Sequence, residues 1–236
     1  MAWVPPGMRT IIRLAIPFLL VAGAAAQSRE GIAMRCIAPA SPPQDREELI
    51  EPMSAEEAAQ LHRAPHGAKR VGTHRLEVAW FGGKRIFDDT PPYDEPLDGV
   101  SWVYCGFESR VQMHLLLKTD RWLFTGALLD DRTGSLLPAG RVVVFSPDQK
   151  YYLAYEQPDG QDGETIKLFR TRAGLLWKGY NGILSADGKS VVAEFETVRW
   201  NDHDRLEADL KTPSGTDTVI LTPGNGKWEW LSKVHN

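Results

Sequence analysis

The sequence predicts an all-β chain of antiparallel four-stranded meanders repeated about every 39 residues, behind an irregular arm with one short helix. Three observations carry this. A turn signal recurs, first as Phe145-Ser146-Pro147-Asp148-Gln149-Lys150, 39 positions later as Leu184-Ser185-Ala186-Asp187-Gly188-Lys189, and again as Leu221-Thr222-Pro223-Gly224-Asn225-Gly226-Lys227. The spacing reaches beyond the turn, because Arg132-Thr133-Gly134-Ser135-Leu136-Leu137 matches Arg172-Ala173-Gly174-Leu175-Leu176 at an offset of 40. From about residue 73 onward, short apolar or alternating runs are divided by Gly, Pro, Asp and Asn, the texture of strands and tight turns. A period near 40 built from short strands is the mark of blade-type β architectures.

Residues 1–26 read as an export signal. Arg9 and Arg13 precede an apolar stretch from Leu14, and Ala24-Ala25-Ala26 supply small residues ahead of Gln27, so cleavage after Ala26 is expected. The uncharged run from Leu14 to Ala26 is 13 residues, short of the ~20 that span a bilayer as a helix. Cys36 lies ten positions past Ala26, which argues against a lipid anchor, and no arginine pair precedes the apolar run. A periplasmic or secreted location is therefore expected.

Residues 27–70 form a Pro-rich arm, broken by Pro39, Pro42, Pro43 and Pro52. Ser54 with Glu57 has the form of a capping box and opens a short helix over residues 54–63, which Pro65 and Gly67 end. Cys36 and Cys105 are the two cysteines, and in an oxidising compartment they have one intramolecular pairing. Closing that loop of roughly 70 residues contributes about 4 kcal/mol in the chain-entropy account.

The β-repeat domain covers residues 71–236. Residues 74–80 alternate polar and apolar, Gly82-Gly83 turns the chain, and residues 84–87 return. A Pro-rich loop over residues 88–98 leads to strands at 100–107, 111–118 and 122–129. The clearest unit has strands at 142–145, 151–155, 165–170 and 175–178, and the next repeats the order at 183–184, 191–195, 205–210 and 218–221. Asp belongs in the connecting turns because its carboxylate accepts backbone N–H groups two residues on, and Gly because it tolerates positive φ. Gln149 stands where the second copy has Gly, so that turn is expected to be strained or of another type.

The Phe145–Lys150 turn followed by Tyr151-Tyr152-Leu153-Ala154-Tyr155 resembles the repeat of bacterial periplasmic β-propellers such as the Tol-system translocation protein, over residues 118–233. The resemblance implies four-stranded sheets arranged around an axis. Propellers have typically four to eight blades. Residues 73–236 hold at most about four, which leaves a small propeller, an open arc of blades or a twisted β-sandwich as the expected forms.

The bulk numbers exclude some functions. A net charge of −4 and no basic stripe argue against nucleic acid, and no second long apolar run suggests a membrane span in the mature chain. There is no Gly-x-Ser-x-Gly elbow, Ser-x-x-Lys, His-Glu-x-x-His or phosphate-cradling Gly-rich loop, so no catalytic residue stands out and the balance favours a binding protein over an enzyme. The expected function is recognition of a macromolecular partner, a protein or glycan of the cell envelope, through loops at one end of the blades. An inhibitor or immunity protein against an envelope-acting enzyme is the narrower version. Trp200, Tyr180 and Trp230 are the candidate contacts, since indoles and phenols near loop ends make hot spots, although most of the strand tryptophans should be core. Asn201-Asp202-His203-Asp204 is the densest polar cluster; Asp202, His203 and Asp204 could hold Ca²⁺ or another metal in a metal-assisted hydrolase, and turn geometry alone also favours these residues.

Overall fold

A computed structural model describes residues 31–36, 46–92, 99–121, 123–156, 165–180, 182–185, 190–201, 205–212, 215–224 and 227–232. It is an all-β fold with one helix, and every sheet is antiparallel and open.

The first sheet contains β2 (Ala68–Arg70), β3 (Arg75–Trp80) and β4 (Gly83–Asp88). The second is the meander β5 (Val100–Glu108), β6 (Met113–Asp120), β7 (Leu123–Asp130) and β8 (Leu136–Ala139). The third continues with β9 (Val142–Phe145), β10 (Tyr151–Glu156), β11 (Thr165–Arg170) and β12 (Gly174–Tyr180). The fourth runs β13 (Gly182–Ser185), β14 (Ser190–Trp200), β15 (Leu206–Thr212), β16 (Gly215–Gly224) and β17 (Lys227–Ser232).

The sheets stack face to face in chain order, and three interfaces hold them. Leu76, Val78 and Phe87 of the first sheet meet Tyr104, Leu116 and Leu129 of the second. Leu115, Leu117 and Leu128 on the opposite face of the second sheet meet Val143, Phe145, Tyr152 and Ala154 of the third. Val144, Leu153, Ile166 and Leu168 then meet Trp200, Leu206 and Leu221 of the fourth. Alternate side chains of a strand point to opposite faces, so neighbours such as Leu115 and Leu116, or Val143 and Val144, feed different cores. That is why these strands read as unbroken apolar runs rather than alternating ones.

The two outer faces differ in kind from these interfaces. On the first sheet Glu77 pairs with Lys69 at 3.8 Å and Lys84 at 3.2 Å, and Arg75 pairs with Asp88 at 2.6 Å. On the fourth, Arg199 pairs with Glu207 at 3.4 Å and with Asp209, which also accepts the Thr218 hydroxyl at 3.0 Å. The Lys69, Lys84, Arg75 and Arg199 side chains are well exposed. Solvated, ion-paired faces at both ends terminate the stack, and none of the sheets is closed.

Three details depart from the sequence reading. The arm supplies a strand, β1 (Ile32–Arg35), which pairs with β9 and buries Ile32 and Met34 in the core. The helix α1 spans Arg46–Arg63, eight residues more than the capping box at Ser54 implied on its N-terminal side, and carries Pro52 within it. The third copy of the turn does not begin another sheet but closes the last hairpin, β16–β17, of the fourth.

The helix has a specific task. The Glu57 carboxylate accepts both the Tyr104 backbone N–H at 2.8 Å and the Arg70 guanidinium at 2.8 Å, so α1 covers the outer edge of β5. Covering an edge strand removes a template for unwanted pairing. Next to this contact β5 bulges between Tyr104 and Gly106, and Cys105 in the bulge is bonded to Cys36 with Cα atoms 4.9 Å apart. The bridge thus joins the segment following β1 to the second sheet.

The Ser-Pro-Asp turn forms as its residues require. The Ser146 hydroxyl donates to Asp148 at 2.7 Å and accepts the Tyr151 N–H at 3.0 Å, while Asp148 accepts the Lys150 N–H at 3.0 Å. Burial alone would push the Asp148 carboxyl up, but bonds from Lys150 and Ser146 outweigh it and hold the group below the usual carboxylate range. Gln149 has φ +60, the left-handed region that costs a non-glycine residue about 1 kcal/mol or more. Gln149→Gly is therefore expected to stabilise the fold by roughly 0.5–1 kcal/mol after its greater unfolded-state entropy is deducted. The midpoint of urea unfolding checks this, and a lowered midpoint would contradict the turn geometry.

Candidate functional site

Five turns meet at one end of the stack and are joined by direct bonds. The β3–β4 turn carries Phe81, whose N–H donates to Asp131 O at 3.0 Å in the β7–β8 turn. The Asp131 N–H donates to Gln112 O at 3.0 Å in the β5–β6 turn. Asp130 binds the Arg172 guanidinium of the β11–β12 turn, and the Thr171 N–H donates to Lys150 O at 2.8 Å in the β9–β10 turn. Gln112, Gln149 and Arg172 all hold positive φ here, at 56°, 60° and 61°.

Asp131 is the centre of this end. Its two carboxylate oxygens lie 3.1 Å from His114 Nε2 and 3.1 Å from His66 Nε2. A carboxylate only accepts, so both Nε2 atoms carry protons, and His114 Nδ1 is left to accept the Tyr104 hydroxyl at 2.9 Å. Burial pushes His114 below its ordinary value, with Asp131 opposing only in part, so the ring is neutral at pH 7. Burial, and then the charge of Asp131, push the Tyr104 hydroxyl well above its ordinary value. Tyr104 and His114 are buried out of reach of any ligand, which makes this chain of polar groups a brace between the second sheet and the α1–β2 loop.

The brace positions two accessible rings. His66 is partly exposed and meets Phe81 edge-on with centroids 6.3 Å apart, and Phe81 is 80% exposed. Behind them, Trp80 lies against Gly134, where an added Cβ would sit 2.4 Å from the indole, and Arg85 Nε donates to Gly134 O at 2.9 Å. Asp130 has its own support: burial favours the neutral form, but Arg172 and the Arg132 N–H outweigh it and hold its carboxyl below the usual range.

The residues expected as contacts fall elsewhere. Trp200 is 5% exposed, stacks with Tyr151 at 6.3 Å and donates its indole N–H to Val144 O at 3.2 Å. It is an inter-sheet packing residue, because two sheets can bury an indole whose single polar atom finds a carbonyl. Tyr180 ends β12 and Trp230 lies in β17, but their side chains lie outside the described part of the structure. Asp202, His203 and Asp204 are likewise outside the described residues; the flanking Asn201 and Arg205 close the hairpin, with the Asn201 N–H donating to Arg205 O at 2.8 Å. Among the described residues no group of three His, Cys, Asp or Glu side chains could hold a metal ion, and no helix is long and apolar enough to cross a membrane.

Little in the sequence marks the site that does assemble. Phe81 is one aromatic beside a Gly-Gly turn, His114 sits inside the apolar run Met113-His114-Leu115-Leu116-Leu117, and His66 follows Pro65. The one available signal was Asp130-Asp131 closing the apolar stretch Ala127-Leu128-Leu129, since two acids at a strand end must find partners. No family model, curated protein or solved structure matches this chain.

Proposed function

We propose that the chain is an exported, non-catalytic β-repeat protein that docks a macromolecular partner of the cell envelope through the turn end of its sheets. The observation that carries this reading is Phe81. An aromatic ring that is 80% exposed is held at a hairpin tip by a backbone bond to Asp131 and an edge contact with His66. Exposed aromatics on rigid supports lose little conformational freedom when they bind, which is what a hot spot requires. The Cys36–Cys105 bridge supports passage through an oxidising compartment, the periplasm or beyond, and so agrees with an export signal over residues 1–26.

Photo-crosslinking in intact cells tests the reading. A photoreactive phenylalanine analogue at position 81 is expected to give one discrete adduct, and the same analogue at position 69, on the ion-paired outer face, none. Phe81→Ala is expected to weaken capture of that partner about tenfold or more, the usual size of a hot-spot loss. Equal labelling at both positions, or none at 81, would overturn the docking surface.

A further inference from the structure

We propose that the turn end is an acid-released clasp: proton uptake by the His66–Asp131–His114 cluster frees the α1–β2 loop and the Phe81 tip, so the docking surface is lost as the surroundings turn mildly acidic. This rests on the docking reading above and adds its regulation.

Asp131 ties three segments together. Its carboxylate holds His66 of the α1–β2 loop and His114 of β6, and its backbone carbonyl holds the Phe81 N–H of the β3–β4 turn. Water has little access to the cluster: the His114 side chain is 0% exposed and Asp131 5%, and only His66, at 38%, reaches the surface. The titratable groups that face the His114 ring are Asp131, His66 and, from β5, Tyr104. Its other neighbours are apolar, with Phe107 of β5 at 4.8 Å between ring centroids and Leu129 opposite it on β7. The nearby Asp130 is turned to Arg172 and the Arg132 N–H instead.

The hydrogen bonds of the cluster are complete with both rings neutral. A further proton on His114 has only Nδ1 to occupy, where the Tyr104 hydroxyl already donates at 2.9 Å, so that hydroxyl would have to turn its hydrogen into the core. The charge count points the same way. One carboxylate balances one imidazolium, and charging both rings leaves a surplus positive charge where water is excluded. Burial pushes His114 below its ordinary value, Asp131 opposes this in part, and a charge on His66 adds to the fall.

Opening therefore takes up a proton. Once the clasp opens, the His114 ring meets water and binds a proton near the ordinary histidine value of about 6.5, whereas the closed form binds it only at lower pH. The clasp is held fully above that pH and loses its hold below it, by at most about tenfold per pH unit for one proton. Asp130 and Asp148, and Glu108 bonded by Arg110, lie below the usual carboxylate range, so what they contribute is lost only further into acid. A response in the mildly acidic range thus belongs to the histidine cluster.

Amide hydrogen exchange on the full exported chain between about pH 7.5 and 5, corrected for intrinsic rates, tests this. Protection of the Phe81 and Asp131 amides, which donate to Asp131 O and Gln112 O, is expected to fall roughly tenfold below about pH 6.5. Leu153, in the middle of the third sheet, is expected to keep its protection. His114→Gln retains a donor for Asp131 but takes up no proton, and is expected to give flat protection at Phe81. Should that variant not fold, the ring proton shifts of His114 in the parent chain decide, since the ring is expected to stay neutral below its ordinary value while the clasp is closed. Flat protection in the parent, an equal fall at Leu153, a variant that keeps the parent's response, or a His114 ring that titrates at its ordinary value would each overturn the clasp. Crosslinking at position 81 separates the two levels. An adduct formed equally at neutral and mildly acidic pH leaves the docking surface standing and removes its regulation, whereas no adduct at either removes the docking reading and leaves the exchange result intact.

Discussion

Gly140→Ala is expected to destabilise the fold by about 3 kcal/mol or more, the upper end of what overpacking costs. Gly140 links β8 to β9 and so joins the second sheet to the third. A Cβ built there would lie 1.6 Å from Tyr155 O, 2.3 Å from Tyr155 C and 3.0 Å from Glu156 N. All three are backbone atoms, so no rotamer change can clear them. Tyr155 is paired with Val142 on one side and Ile166 on the other, which prevents β10 from moving alone. The same junction is tight from the opposite direction, because a Cβ on Gly126 would lie 3.0 Å from Gly140 O. Urea unfolding monitored by tryptophan fluorescence gives the measurement. A variant within 1 kcal/mol of the parent would show that the two sheets are not in backbone contact there.

Loss of the disulfide is the second large effect. The bridge closes a sequence separation of 69 residues. The loop-entropy account puts its contribution at about 4 kcal/mol. Cys36→Ser, Cys105→Ser and the double replacement should therefore lose similar stability, since one bond is lost in each case. Cys36 is buried in the core between the second and third sheets, so the variants carrying Cys36→Ser also place a hydroxyl there, whereas Cys105 is only partly buried against it. Thermal unfolding with and without reductant separates the two contributions: the parent chain should fall toward the variants when reduced, and the variants should not respond. A parent whose midpoint ignores reductant under unfolding conditions would remove the bridge from the account.

Strands and turns were legible in the sequence, and the assembled site was not. The 142–145, 151–155 and 165–170 strands could be placed because Ser146, Pro147 and Asp148 make a local, self-contained turn, and because apolar runs of this length bounded by such turns suit strands. β1 escaped notice because its evidence is non-local: the four residues Ile32–Arg35 become a strand only by pairing with β9, more than a hundred positions away. The helix start was misplaced because Ser54 and Glu57 satisfy a capping pattern, yet Glu57 spends its carboxylate on Tyr104 and Arg70 instead. Trp200 looked like a contact because it adjoins a polar loop, and its burial depends on the third sheet, which no window around residue 200 contains. The Asp131 brace is the extreme case, with His66, His114 and Tyr104 drawn from separate segments by a three-dimensional arrangement alone.

The sharing of each central strand between two cores has a cost in folding specificity. In a sheet with one wet face, a slip of one residue would drive charge inward, and polarity alone forbids it. Here the same slip in β9 would merely exchange Val144 for valine and phenylalanine, leaving oil against oil. Correct alignment must instead be dictated from the strand ends, by the Ser146–Asp148 turn and by a Gly140 junction that admits one position only. Errors in those few residues would yield mispaired chains of nearly native hydrophobicity, a hazard that composition cannot reveal.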